Sequence, residues 1–242
     1  MPLVSRAPDV PADAYRIVTP DRFWRFWKLL LGRPFSWLFR MRVYGAEHVP
    51  RSGPVVIASN HIAGIDVVVL GRASPRTLRY MAKAELFTYN RILAWMLRHA
   101  GAFGVRRGES DLEALRLARR VLQAGHALGV FAEGTRQSSE AIGTVQPGAS
   151  LIALSEGAPI VPVVIQGTIF IKQSLRHPVT VMFGPPLAVA QTAQRGKAYR
   201  EAVISTTHEL QRELERLQRR TQAAIAAGRP RDLAGVDAGG DR

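Results

Sequence analysis

Five runs of apolar and β-branched residues punctuate the chain, at positions 55–59, 78–83, 128–132, 160–165 and 179–183. Each is nearly continuous rather than alternating, which is the pattern of a strand buried on both faces. Between them the spacing becomes helical. Residues 110–125, SDLEALRLARRVLQAG, put Leu112, Leu115, Val121 and Leu122 on one stripe, with Ser110 and Glu113 as a capping box and Gly125 as the stop. Residues 147–157, PGASLIALSEG, open on proline and close on glycine, and an amphipathic helix spans about 197–227. Strands alternating with helices predict a single α/β domain over 43–227, a mostly buried mixed sheet flanked by helices.

Ahead of that domain the pattern changes. Phe23, Phe26, Trp27, Leu30 and Leu31 share one helical face, while Arg22, Arg25 and Lys28 lie off it. Thr19 is a cap, Asp21 falls in the first turn and Gly32 is a stop. Pro34 then opens a second short helix carrying Phe35, Leu38 and Phe39. Residues 20–42 therefore read as an amphipathic two-helix motif for a membrane interface, since aromatics on one side and cations on the other suit a helix lying in that plane. Residues 1–19, with three prolines and no period, read as a flexible arm, and 228–242 as a disordered tail.

Charge sharpens this reading. The 242 residues carry a formal charge of +14, almost all of the positive groups being arginine, and there is no cysteine. Disulfides, thiolate metal sites and a cysteine nucleophile are thereby excluded. From 72 to 107 the basic residues Arg72, Arg76, Arg79, Lys83, Arg91, Arg98, Arg106 and Arg107 face the single acid Glu85, so this stretch predicts a positive surface for an anionic partner. The basic residues follow no helix-turn-helix, zinc-finger or aromatic RNA-binding pattern, so nucleic acid is not the expected partner. No run reaches the roughly 18 to 20 apolar residues of a bilayer span, and the first residues lack the apolar centre of a signal peptide. Peripheral or monotopic attachment at the cytoplasmic face of the membrane is the expectation.

The candidate chemistry starts at residues 59–66, SNHIAGID. His61 and Asp66 are five apart, so on a continuous helix their side chains would diverge by about 140°. They can pair only if the residues between them turn, which Gly64 permits. An imidazole held by a carboxylate has its second nitrogen free to act as a general base. Three later segments lie at other strand ends. Residues 101–111, GAFGVRRGESD, follow a short apolar strand with Arg106 and Arg107. Residues 129–139, GVFAEGTRQSS, run from a strand into Glu133, Gly134, Thr135 and Arg136, offering close backbone approach, a hydroxyl and a guanidinium fork for an anion. Residues 157–168, GAPIVPVVIQGT, interrupt an apolar strand with Pro162, the mark of a bulge, an edge or a strand start.

In this order the four segments resemble the blocks of the lysophospholipid acyltransferase family, which includes the bacterial 1-acyl-sn-glycerol-3-phosphate acyltransferases. The resemblance covers about residues 43–183. Asn60, His61 and Asp66 match an N-H-x4-D block in full; Gly101, Phe103 and Arg107 match the second, with Arg106 where an aspartate is common. Phe131, Ala132, Glu133, Gly134, Thr135, Arg136 and Gln137 stand for the usual F-P-E-G-T-R-S, and Pro162 for the fourth block. Residues 79–87, RYMAKAELF, with Lys83 and Glu85, also look like a stretch that follows the first block.

The resemblance implies direct acyl transfer: His61, oriented by Asp66, deprotonates the free sn-2 hydroxyl of 1-acyl-glycerol 3-phosphate as it attacks an acyl-CoA or acyl carrier protein thioester, giving phosphatidic acid. No cofactor or metal is implied beyond that co-substrate. No acyl-enzyme is needed, and the chain has neither a cysteine nor a G-x-S-x-G elbow. Arg107, Glu133, Gly134, Thr135 and Arg136 would hold the glycerol phosphate, with Arg106 and Lys83 as further candidates and Glu133 orienting arginines. Other lyso-acceptors, such as lysophosphatidylglycerol, a lyso-ornithine lipid or a glycolipid, require the same base and stay open.

Overall fold

The computed structural model describes residues 21–99, 101–105, 112–174, 177–189 and 196–228. The expected arm at 1–19, the capping residues Thr19 and Ser110, and nearly all of the expected tail lie outside them. Seven strands form one mixed sheet: β1 (Arg42–Tyr44), β2 (Val55–Ser59), β3 (Leu78–Lys83), β4 (Ala102–Val105), β5 (Ala127–Phe131), β6 (Ile160–Gln166) and β7 (Thr180–Phe183). Their order is β1-β7-β6-β2-β5-β3-β4. Neighbours are parallel except β6 and β7, so β1 and β7 run against the other five. The predicted runs at 55–59 and 78–83 coincide with β2 and β3; those at 160–165 and 179–183 differ from β6 and β7 by one residue at one end, and that at 128–132 is shifted by one residue from β5.

The helices are α1 (Asp21–Leu38), α2 (Asp66–Ala73), α3 (Leu86–Tyr89), α4 (Arg91–His99), α5 (Leu112–Gln123), α6 (Gly148–Glu156) and α7 (Lys197–Ala226). They cover the sheet in two layers. On one face Val56 and Ala58 of β2 join Leu117 and Val121 of α5, Ile152 of α6 and Leu210, Leu214 and Leu217 of α7. On the other, Val55 and Ile57 join Val69 and Leu70 of α2 and Phe87 of α3, with Phe35 of α1 and Leu97 of α4 packed alongside. Both faces of β2 are thus dry, which explains its unbroken apolar sequence.

Two breaker residues behave differently from expectation. The N-terminal segment is one helix, not two: α1 runs through Gly32 and keeps Pro34 inside it. Gly32 is a point of close approach rather than a stop. Arg72 Nε donates to Gly32 O at 2.9 Å, and a Cβ at Gly32 would lie 2.9 Å from that nitrogen. The stop comes later, where Arg40 takes a left-handed φ of 43° and Met41 N bonds Ser36 O at 2.8 Å, a Schellman closure. Pro162 likewise is not at an edge or a strand start but inside β6, whose neighbours are β2 and β7. Its missing donor costs nothing on the β7 side. There β7 has already ended at Phe183, and Pro162 O accepts from Gly184 N at 2.8 Å.

Candidate active site

Strands β2 to β6 are mutually parallel, so their carboxyl ends share one edge of the sheet, where open α/β folds collect ligand chemistry. At that edge β2 continues into Asn60, which ends the ladder with its side chain. Asn60 Nδ2 donates to Ile165 O at 3.0 Å and Ile165 N donates to Asn60 Oδ1 at 2.8 Å. The amide group replaces a peptide rung and frees the main chain to leave the sheet.

His61 follows, fixed through its main chain, its Nδ1 and one face of its ring. Its N–H donates to Glu133 Oε2 at 2.9 Å and its carbonyl accepts from Gln137 N at 2.8 Å. Its ring stacks on Phe131, with centroids 3.9 Å apart and planes 17° from parallel. Nδ1 lies 3.0 Å from Asp66 Oδ2. That oxygen also accepts from Ile62 N at 2.6 Å and Ala63 N at 2.8 Å, leaving it no hydrogen to give. The network therefore assigns the proton to Nδ1 and a lone pair to Nε2. Nε2 has no hydrogen-bond partner among the described residues.

The intervening residues turn as the pairing required, with Asp66 N bonded to Ala63 O at 3.0 Å and α2 starting at Asp66. Gly64 is not the reason. Its φ is not left-handed, and a Cβ there would meet nothing within 4 Å. What closes the turn is Asp66 itself, which is fully buried and collects two main-chain N–H groups along with the imidazole. It also supplies negative charge to the first turn of α2.

Glu133 turns back toward His61 and the loop that follows. Its two oxygens are taken by main-chain donors, His61 N at 2.9 Å and Gly143 N at 2.7 Å, and it makes no arginine contact among the described residues. Burial raises its carboxyl above the ordinary 4.5, an effect that the two N–H bonds only partly oppose. It holds the backbone of His61. The next residues turn outward: Gly134 has a φ of 71°, and Gly134, Thr135 and Arg136 are all exposed. Arg136 makes no ion pair or hydrogen bond through its guanidinium among the described residues, and it precedes the residue bonded to His61 O. Lys83 ends β3 opposite Val105, half-exposed and paired with Glu85 at 3.3 Å. Arg106 and Arg107 lie outside the described residues; β4 ends at Val105, immediately before them.

Sequence reasoning missed the part of the site that lies in the last helix. Gln211 Oε1 accepts from Val145 N at 2.7 Å, and Gln218 Oε1 accepts from Ile142 N at 3.2 Å. Gln218 Nε2 also donates to Glu140 O. Glu140 in turn accepts from Gly167 N at 2.6 Å, tying the loop after β5 to the end of β6. The signal was available: Gln211 and Gln218 are seven apart, two turns of one helix face on which amides interrupt the leucines.

A family model described as "Acyltransferase" matches residues 40–166. The 1-acyl-sn-glycerol-3-phosphate acyltransferase of Bacillus subtilis is 32% identical over 184 residues, covering 73% of this chain and 91% of that protein. The lyso-ornithine lipid O-acyltransferase of Pseudomonas aeruginosa is 32% identical over 154 residues, 61% of this chain and 55% of that one. Among solved structures, the 1-acyl-sn-glycerophosphate acyltransferase PlsC of Thermotoga maritima superimposes with a TM-score of 0.60 at 24% identity, covering 85% of each chain.

Proposed function

We propose that this chain, which belongs to the acyltransferase family, transfers a fatty acyl group from a thioester, acyl-CoA or acyl carrier protein, to the sn-2 hydroxyl of 1-acyl-glycerol 3-phosphate. The observation that carries the reading is the 3.0 Å His61–Asp66 bond with Nε2 left open at the carboxyl edge of the sheet. Nε2 removes the hydroxyl proton as the oxygen attacks the thioester carbonyl carbon. The new C–O bond forms and the C–S bond breaks. The electron pair leaves on sulfur, which takes the proton back from His61, so the protein ends as it began. Asp66 keeps the ring in the right tautomer and balances the transient imidazolium. Arg136, with Arg106 and Arg107 after β4, supplies cations for the phosphate, and the Thr135 hydroxyl is a further donor.

α1 fits the source of such an acceptor. Among the described residues no helix is long and apolar enough to cross a membrane. α1 turns apolar side chains outward, Leu29 being 82% and Trp37 73% exposed. Lys28 turns inward, its Nζ donating to Ser74 O at the end of α2. Burial and the nearby Arg72 bring that amine down to about 8. A helix merely packed on its own domain would show the opposite arrangement, so we assign α1 to the lipid interface.

A second reading, a phosphate-free acceptor such as a lyso-ornithine lipid, is favoured by the likeness to the Pseudomonas aeruginosa protein. One experiment separates the two. Purified protein is given labelled acyl-CoA or acyl-acyl carrier protein and a panel of lyso-acceptors, and the products are resolved. Phosphatidic acid as the main product supports the first reading, a diacylated ornithine lipid the second, and no product with either refutes acyl transfer to both.

A further inference from the structure

The two helical layers differ in what they show to solvent. On the α5–α7 side only Leu112, Ile204 and Ile225 are exposed among the large apolar residues of those helices, and they stand well apart in sequence. The layer made by α1 to α4 carries most of the rest, in two patches. One is α1. The other is the corner of α3 and α4, where Tyr89 is 79%, Ile92 74%, Trp95 47% and Met96 54% exposed.

α4 is apolar on both sides. Ala94 is buried and Leu97 packs on the core beneath, as an inner face should. Its outer positions Ile92, Trp95 and Met96 fall at i, i+3 and i+4, where a solvated helix would carry charge. Arg91 begins the helix and Arg98 and His99 end it, while neither α3 nor α4 contains an acid. Trp95 leans over His99, ring centroids 4.3 Å apart, so its indole is held against the end of the helix. An apolar centre with aromatic residues and flanking cations is the composition of a segment that enters the head-group region of an anionic bilayer.

Continuity with α1 gives the same occupant. α1 is bound to α2 through Arg72–Gly32 and Lys28–Ser74, whereas α4 leads into β4 at the far edge of the sheet. α2, whose first residue is Asp66, belongs to the same layer as both patches and itself exposes Val68. We infer that the α3–α4 corner is a second insertion point for an anionic lipid bilayer, so that the chain is held at two places with the His61–Asp66 edge between them. This goes beyond the proposed acyl transfer, resting on it only for the idea that the acceptor comes from the bilayer. A second copy of the chain, or the acyl chain of a single substrate, are the other occupants that such a surface could take.

The test uses the full chain with Trp24, Trp27 and Trp37 changed to Phe, leaving Trp95 as the reporter, and vesicles of phosphatidylglycerol and phosphatidylcholine. The expected result is a shift of Trp95 emission to shorter wavelength, with quenching by brominated acyl chains and protection from iodide. In the otherwise unaltered chain, Ile92→Ser with Met96→Ser should weaken vesicle binding about tenfold or more, and Ile92→Leu with Met96→Leu should restore it. Both sites are exposed, so neither change threatens the core. Turnover of a short-chain lysophosphatidic acid kept below its micelle threshold should be unaffected by the serine pair. An unchanged Trp95 spectrum on saturating vesicles would overturn the inference. So would an equal loss of turnover on the monomeric acceptor, which would point to an acyl-chain site, or a lipid-free dimer dissolved by the serine pair. Failure of acyl transfer itself would show separately, as no turnover of the monomeric acceptor by the unaltered chain.

Discussion

The proposed base and the cations proposed to hold the phosphate share one edge of the sheet and are built in opposite ways. His61 is buried, and its N–H, its carbonyl, its Nδ1 and one face of its ring each meet a named partner. Arg136 is exposed, on a loop that turns outward at Gly134, and Lys83 is half in water beside Glu85. Proton transfer falls steeply with misplacement by a fraction of an ångström, so the base is fixed by packing. Attraction between a guanidinium and a phosphate falls off slowly with distance, so it tolerates a mobile side chain that closes on its ligand. The more exactingly placed group is therefore the one whose loss should cost more.

The largest effect is expected at the fixed end. His61→Ala should lower kcat by about 10³-fold or more with little change in thermal unfolding, and Asp66→Asn by about 10² to 10⁴-fold through the wrong tautomer. Steady-state rates alongside melting curves check both; near-normal turnover in either variant would remove the base from the mechanism. At the exposed end, Arg136→Ala should raise KM for a phosphorylated acceptor about tenfold and leave KM for the acyl donor nearly unchanged. Equal changes in both would erase the contrast between the two ends of the site.

Glu133 tests the scaffold between the two. Its carboxyl is raised by burial, so the folded chain binds a proton more tightly there than the unfolded one. This contribution to stability is complete below the unfolded value and declines as pH rises from it through the raised folded value. Glu133→Gln should remove that decline, flattening the stability of the chain from about pH 4.5 upward, which chemical denaturation across pH would reveal. A variant with the slope intact would mean another group is responsible. The smallest effect is expected for Lys83→Ala, less than about threefold in any kinetic constant, because its charge is exposed and already paired. A larger loss would make Lys83 a direct ligand.

Much of this is legible because the middle of the sheet is buried on both faces, so β2 and β6 announce themselves as nearly unbroken apolar runs. The His61–Asp66 pair was legible for a geometric reason, since only a turn could bring the two together. What escaped was set by tertiary partners. Gly32 and Pro34 read as a stop and a restart, yet Arg72 packs against that stretch and α1 runs on to Leu38. Gly64 reads as the residue that permits the turn, yet Asp66 makes it by collecting N–H groups. The resemblance gives Glu133 the task of orienting arginines beside the phosphate, whereas the loop reverses so that its carboxylate reaches back to His61 and across to Gly143. None of these contacts has a local signature, because each depends on a residue ten or more positions away or on a main-chain group.

The rung that Asn60 completes has a further meaning for the ageing of the chain. Hydrolysis of that one amide to a carboxylate, the commonest spontaneous damage to asparagine, would exchange the donor at Nδ2 for an acceptor and set two oxygens against each other at Ile165. The strand end and the imidazole that follows it would lose their register through a change of a single atom. The same two bonds that create this vulnerability also restrict the rotation of the amide that such hydrolysis requires. Catalytic lifetime and the integrity of the sheet are thus one property, decided at residue 60.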